Sequence, residues 1–101
     1  MYRFEWDEAK NRANRLKHNG ISFDAASGVF RDPLHISVQD RIESGEMRWQ
    51  TYGLVDGARL LIVAHTRVEE DGEGGFVEVI RIVSARRMAR AERRWYEEQG
   101  R

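Results

Sequence analysis

Arginines crowd one stretch of this sequence, Arg81-Ile-Val-Ser84-Ala-Arg86-Arg87-Met-Ala-Arg90. A guanidinium is a planar fork that meets phosphate or carboxylate through two parallel hydrogen bonds. The pattern predicts a strand end running into the first turns of a helix, with Ser84 as the cap. Cations at that point oppose the helix dipole, at about 0.3–1 kcal/mol each when exposed. Local conflicts of this kind mark functional sites. A phosphate would relieve it, gaining free N–H groups, the dipole and the arginine forks together. The competing reading pairs these arginines with acids such as Glu92, Glu78 or Glu5 on a solvated face.

Other polar residues are less distinctive. Lys17-His18 falls at the expected end of a first helix, where cations complement the dipole for structural reasons alone. His65, beside Arg67, is either a base at a sheet edge or a half-buried polar residue, and His35 lies in a peripheral strand. The three histidines lack metal-ligand spacing and cysteine is absent, so no metal site is expected. The glycines of Gly72–Gly75 sit in a hairpin rather than between strand and helix, so no nucleotide cofactor is expected either. Trp49 and Tyr52 can stack bases, but aromatics in strands are more often core. Arg48 would face opposite to Trp49.

The elements that position these residues follow from periodicity. Tyr2 to Trp6 alternates as a short strand, and Asp7 caps a helix over residues 8–19 whose inward stripe is Ala9, Ala13 and Leu16. Lys10, Asn14 and Lys17 form a polar stripe beside it, and Gly20 closes the helix. Ser22 caps a second short helix to about Phe30, with Phe23, Ala26 and Phe30 inward, ended by Asp32-Pro33. Leu34, Ile36 and Val38 alternate as a half-buried strand. Met47–Val55 and Arg59–Arg67 flank Asp56-Gly57, a hairpin signal, and Leu60–Val63 suits a central strand covered on both faces. Residues 69–75 read as a mobile loop before a last strand, Phe76–Val83. The closing helix would turn Met88, Ala91 or Glu92, and Trp95 inward. The expected architecture is α+β, with order β-α-α-β-β-β-β-α and a mostly antiparallel sheet of about five strands packed by helices on one face.

Composition bounds the rest. A chain of 101 residues is the size of one domain, expected to span 1–101, with 41% apolar residues for a core and 34% charged for a solvated surface. Without cysteine the default location is the cytoplasm. The longest apolar run, Leu60 to Ala64, is far too short for a membrane span, and Glu5, Asp7 and Glu8 do not suit a signal peptide. Net charge is zero but unevenly placed: residues 1–80 carry net −4 and residues 81–101 carry 7 arginines against 3 glutamates. Only Lys10 and Lys17 are lysines among 17 basic residues, a bias that solubility does not require.

The stretch Phe4-Glu-Trp-Asp-Glu-Ala-Lys-Asn-Arg-Ala-Asn14, then Lys17-His18 and Gly20-Ile-Ser-Phe-Asp-Ala-Ala26, resembles the BrnT family of type II toxins. Asp32-Pro33, Glu46 with Arg48, Gly53, Arg59-Leu-Leu-Ile-Val with His65-Thr66, Arg81-Ile-Val-Ser-Ala-Arg-Arg and Glu92-Arg-Arg-Trp-Tyr-Glu97 follow in the family's order. Asn19 is a departure, standing between His18 and Gly20 where the family more often reads Lys-His-Gly. The resemblance implies a RelE-like fold and a ribonuclease that stops translation. It also implies a BrnA antitoxin with a ribbon-helix-helix part, through which alone the toxin would reach operator DNA.

Carried onto this chain, that function assigns Arg81 and Arg86 to the phosphate, Arg48 to positioning or charge stabilisation, and Lys17 or His65 to proton transfer. Arg87, Arg90, Ser84 and His18 would add phosphate binding. The chemistry would be metal-free attack of a ribose 2′-hydroxyl on the adjacent phosphate, helped by arginines. The alternative is a binding module without catalysis, whose arginines dock an acidic partner or nucleic acid. An unrelated small-molecule enzyme has no motif behind it.

Overall fold

The computed structural model describes residues 1–99, so Arg101 of the basic C-terminal stretch lies outside the described residues. The elements run β1 (Tyr2–Glu5), α1 (Glu8–Lys17), α2 (Phe23–Ala26) with a 3-10 turn over Ser27–Arg31, β2 (Ile36–Glu43), β3 (Glu46–Val55), β4 (Arg59–Gly72), β5 (Gly75–Arg87) and α3 (Arg90–Gln99). Five strands form one sheet in the order β1-β5-β4-β3-β2, antiparallel except for the parallel pair β1 and β5. This is the α+β arrangement and element order the sequence predicts. Asp56 and Gly57 both have positive φ, 55° and 67°, as the centre of a type I′ turn requires, and the Val55↔Arg59 pairing leaves Ala58 as a third loop residue. Ser44-Gly45, at 52° and 80°, is the two-residue form between β2 and β3, closed by Glu43↔Glu46.

β4 lies at the middle of the sheet, and its unbroken apolar run serves both faces. Residues paired across neighbouring strands point to the same side. Leu61, Val63 and His65 therefore share one face with Gly53, Thr51, Ala85 and Ile82. Against that face pack Ile21, Phe23, Ala26, Val29 and Phe30 from the α1–α2 region. Ile62 points the other way, together with Tyr52 and Arg86, and joins Met88 and Tyr96 under α3. Helices thus cover both faces, not one, because Leu60 and Ile62 expose a second apolar row that only α3 can cover.

The structure corrects several boundaries. The second helix is one α turn that tightens into 3-10 geometry after Ala26. β2 begins at Ile36 and leaves Leu34 exposed. β4 and β5 pair to Gly72↔Gly75, so the expected loop over 69–75 is a long two-stranded arm with a tight turn. Cross-strand pairing with Leu61–Ala64 carries β5 on to Arg87. Ser84 is consequently a strand residue and caps no helix, and Arg86 and Arg87 are not at a helix start. The dipole conflict inferred for them does not exist. In α3 the buried residue is Tyr96, while Trp95 lies half out against the Tyr52 ring, centroids 4.9 Å apart, and Ala91 is exposed.

α1 is inside out relative to its apolar pattern. Ala9, Ala13 and Leu16 are exposed, Leu16 by 90%, and the buried residues are Asn11 and Asn14. The asparagines act as brackets. Asn11 Oδ1 accepts the Phe23 N–H at 2.8 Å, fixing the start of α2. Asn14 Nδ2 donates to the carbonyls of Ile21 (3.0 Å) and Ala85 (2.9 Å), while its Oδ1 accepts the Ala85 N–H at 3.1 Å. A side-chain amide here satisfies β5 backbone groups that a leucine would leave buried and unpaired. Asp7 caps α1 as expected, with the N–H groups of Lys10 and then Ala9 holding its carboxylate below its ordinary pKa.

Gly53 marks a close approach. A Cβ there would lie 2.9 Å from Val29 Cβ and 3.0 Å from Val29 O. Gly53→Ala is expected to cost about 1–3 kcal/mol, the usual penalty of overpacking, in urea denaturation. Wild-type stability in that variant would mean the sheet and the 3-10 turn are not in contact.

Candidate functional site

β5 sets the geometry of the basic region. Its pairing places Arg81, Ser84 and Arg86 on the sheet face that α3 covers only in part, since their partners on β4 are Thr66, Ala64 and Ile62. The register shift between Ala64 and His65 keeps all three on one side. Arg48 of β3, paired with Arg41, lies on the same face. The structure thus gathers four of the expected site residues onto one surface. Arg81 is exposed and forms no ion pair with a described residue. Arg48 is half-buried, with one terminal nitrogen 3.6 Å from Glu43, and its Nε is buried without a hydrogen-bond partner among the described residues.

A second group meets where β5 ends. Lys17, His18, Asn19 and Ile21, from the C-terminal end of α1, and Arg86 and Arg87 line a recess of about 190 Å³. The chain turns there because His18 closes α1 and because Asn19 and Gly20 both adopt positive φ, 52° and 80°. Asparagine tolerates that conformation better than most residues. The Gly20 N–H reaches back to Arg15 O at 2.7 Å. Asn14, bonded to Ala85, ties this helix end to β5 directly beside Arg86. Residues about seventy positions apart are thereby set around one opening.

Arg86 belongs to both groups and is already engaged. Both its terminal nitrogens donate to Glu92 of α3 at 2.8 Å, forming the fork pair that the competing reading of the sequence foresaw. Glu92 also accepts the Ala89 N–H at 2.8 Å, capping α3. The Arg86 contact, aided by the Ala89 N–H, lowers the Glu92 pKa to about 2. The pair therefore persists through the whole physiological range. Tyr52 lies nearby, its pKa raised by burial and then by the Glu92 charge. Arg90 falls in the first turn of α3, exposed beside Arg93 and Arg94, and Arg87 points to the α1 side of the sheet with Leu61.

His65 does not join the site. It is wholly buried, its ring edge-on to Phe30 at 5.1 Å. Its Nδ1 faces the Thr66 carbonyl at 3.0 Å, and a carbonyl only accepts, so Nδ1 carries the proton. Nε2 then accepts from the Thr51 hydroxyl at 2.6 Å, and Thr51 accepts from Ser37 at 2.7 Å. This closed polar chain leaves no proton for a substrate, so the proton-transfer role is corrected to a core one. Two-residue spacing from Val63 was the available signal, since it puts His65 on a core face.

Burial lowers the His65 pKa to about 4. The unfolded chain therefore binds a proton that the folded one refuses, and stability is lost as pH falls from the unfolded value near 6.5 toward about 4. The loss should approach about 3 kcal/mol in urea titrations from pH 7 to 4, and be largely absent in His65→Gln. Equal pH slopes in both proteins would refute the buried neutral imidazole.

Trp49 is covered by the Arg67 guanidinium, 5.0 Å from the ring centroid, which Glu78 anchors in turn. That face is not free for a base. Sequence reasoning also missed Asp32. It accepts the Tyr96 hydroxyl and the N–H groups of Leu54 (2.8 Å) and Leu34 (2.9 Å). Burial opposes its ionisation, but these donors outweigh burial and lower its pKa. The contact ties α3 to β3 and so holds Glu92 over Arg86. Among the described residues no three His, Cys, Asp or Glu side chains stand together as a metal-binding group, and no helix is long and apolar enough to cross a membrane.

Comparison with known proteins bears on this surface. Residues 6–92 match the family described as "Ribonuclease toxin, BrnT, of type II toxin-antitoxin system". No curated protein matches the sequence. Among solved structures, the ribonuclease toxin BrnT of Brucella abortus superposes with a TM-score of 0.57 at 20% identity, covering 89% of this chain and 99% of that one. At that identity the likeness speaks for the fold.

Proposed function

The chain belongs to the BrnT family, ribonuclease toxins of type II toxin–antitoxin systems, and we propose that it cuts RNA without a metal ion at the recess between α1 and β5. The observation that carries this reading is the meeting of Lys17, His18, Arg86 and Arg87 around one opening. The ribose 2′-oxygen attacks the adjacent phosphorus and the bond to the 5′-oxygen breaks, leaving a cyclic phosphate and a free 5′-hydroxyl. One proton leaves the nucleophile and one reaches the leaving oxygen. With His65 sealed in the core, His18 and Lys17 are the groups in place for these transfers. Arg86 and Arg87 stabilise the charge gathering on phosphorus oxygens. Arg81, Ser84 and Arg48 guide the flanking strand along the open sheet face, and Arg90 extends the positive surface.

Cleavage of this kind would stop translation in the cytoplasm. The same reading takes a BrnA-type antitoxin with a ribbon-helix-helix part as the neutralising partner, and operator DNA is reached only through it. Purified protein should release RNA fragments with 5′-hydroxyl ends at equal rate with and without EDTA. Loss of cleavage on chelation would reject the metal-free mechanism. The occupation of Arg86 by Glu92 supports the alternative, a module that binds anions without catalysis. That module would retain RNA by salt-sensitive contacts and never shorten it.

A further inference from the structure

We propose that the outward face of α1 is the docking surface for the antitoxin, and that the segment it receives is amphipathic and acidic. The inference rests on the family assignment, which supplies a type II antitoxin, and on a helix face that meets the cleavage recess only at Lys17. With about 100° per residue, Ala9, Ala13 and Leu16 form one stripe along α1, and Asn11 and Asn14 lie on the opposite side. The asparagines are buried and the stripe is in solvent. Leu16, 90% exposed, stands between Arg12, Arg15 and Gly20 in a shallow depression.

An apolar stripe pointing outward on a helix already fixed by polar brackets has no role in the fold of this chain. Charge identifies what covers it. Arg12 and Arg15 border the stripe on one side and Lys10 and Lys17 on the other, and none of the four forms an ion pair with a described residue. A segment with an apolar row flanked by Asp or Glu would bury Leu16 and meet both cationic borders. A second copy of this chain is a poor occupant, because pairing α1 with α1 opposes like charges across a stripe of one leucine and two alanines. RNA would use the cations but gain little from Leu16.

The test co-expresses the chain with the antitoxin encoded by the adjacent reading frame and measures the dissociation constant of the purified pair. Leu16→Glu and the double variant Arg12→Glu, Arg15→Glu are compared with wild type at low and high salt. Each is expected to weaken binding at least about 100-fold, against a wild-type affinity that falls as salt rises. Melting temperature and RNA cleavage by the free toxin should stay unchanged, since these side chains contact neither core nor recess. Antitoxin affinity equal to wild type in both variants would overturn the proposal. So would variants that lose RNA binding or self-association while keeping the antitoxin. If wild-type protein binds no such product, the antitoxin reading itself fails, an outcome distinct from either.

Discussion

The double variant Arg81→Ala, Arg86→Ala is expected to cleave RNA at least about 10²–10³-fold more slowly than wild type, the cost typical of removing a preorganised donor from a charged transition state. Phosphoryl chemistry on RNA needs positive charge where the phosphorus oxygens gather electrons, and on the proposed reading β5 would supply it. Arg86 also holds Glu92 and thereby α3, so loss of activity alone would be ambiguous. Glu92→Gln resolves this. It weakens the same ion pair but leaves the guanidinium in place, and cleavage should remain within a few-fold of wild type. Full activity in the double arginine variant would remove β5 from the mechanism. Equal losses in Glu92→Gln would show that Arg86 acts by holding the helix.

Asn14→Leu is expected to destabilise the protein by about 3 kcal/mol or more, although it puts an apolar residue at a buried helical position. The Ile21 and Ala85 carbonyls and the Ala85 N–H each lose a partner, in a site too closed for water to replace it. Buried backbone groups left unpaired cost about 1–3 kcal/mol each, which exceeds what one leucine gains by burial. For a domain of this size the melting temperature should fall by about 12–24 °C. A change below about 1 kcal/mol would mean that Asn14 is ornamental.

The strands were legible because their signals are local. Asp56-Gly57 and Ser44-Gly45 announce their turns, and unbroken Leu60–Val63 announces a centre. The error on α1 has a physical cause: a stripe rule ranks helix faces by hydrophobicity, whereas here the face is chosen by hydrogen bonding to β5. Arg86 and Arg87 illustrate a second limit. Ser-Ala-Arg-Arg suits a helix start as well as a strand, and pairing with Leu61 and Ile62 decides it, which local sequence does not express. Residue types at the candidate site were readable, but their grouping was not. Nothing in the spacing of Lys17 and His18 says that they meet Arg87; that follows from the Asn14 brackets. His65 shows the converse, a chemically apt residue whose place in the alternation of β4 puts it out of reach.

The ion pair between Arg86 and Glu92 has a consequence for selectivity. On the proposed reading, any anion seeking the Arg86 fork must displace a carboxylate tethered beside it, a competitor whose effective concentration is fixed by the chain and does not dilute. A stray phosphate ion brings one contact to that exchange and loses. A polyanion that engages Arg81 and Arg48 on the same sheet face at the same moment brings several and wins. The internal carboxylate thus works as a threshold, making the site deaf to single anions and responsive to a strand.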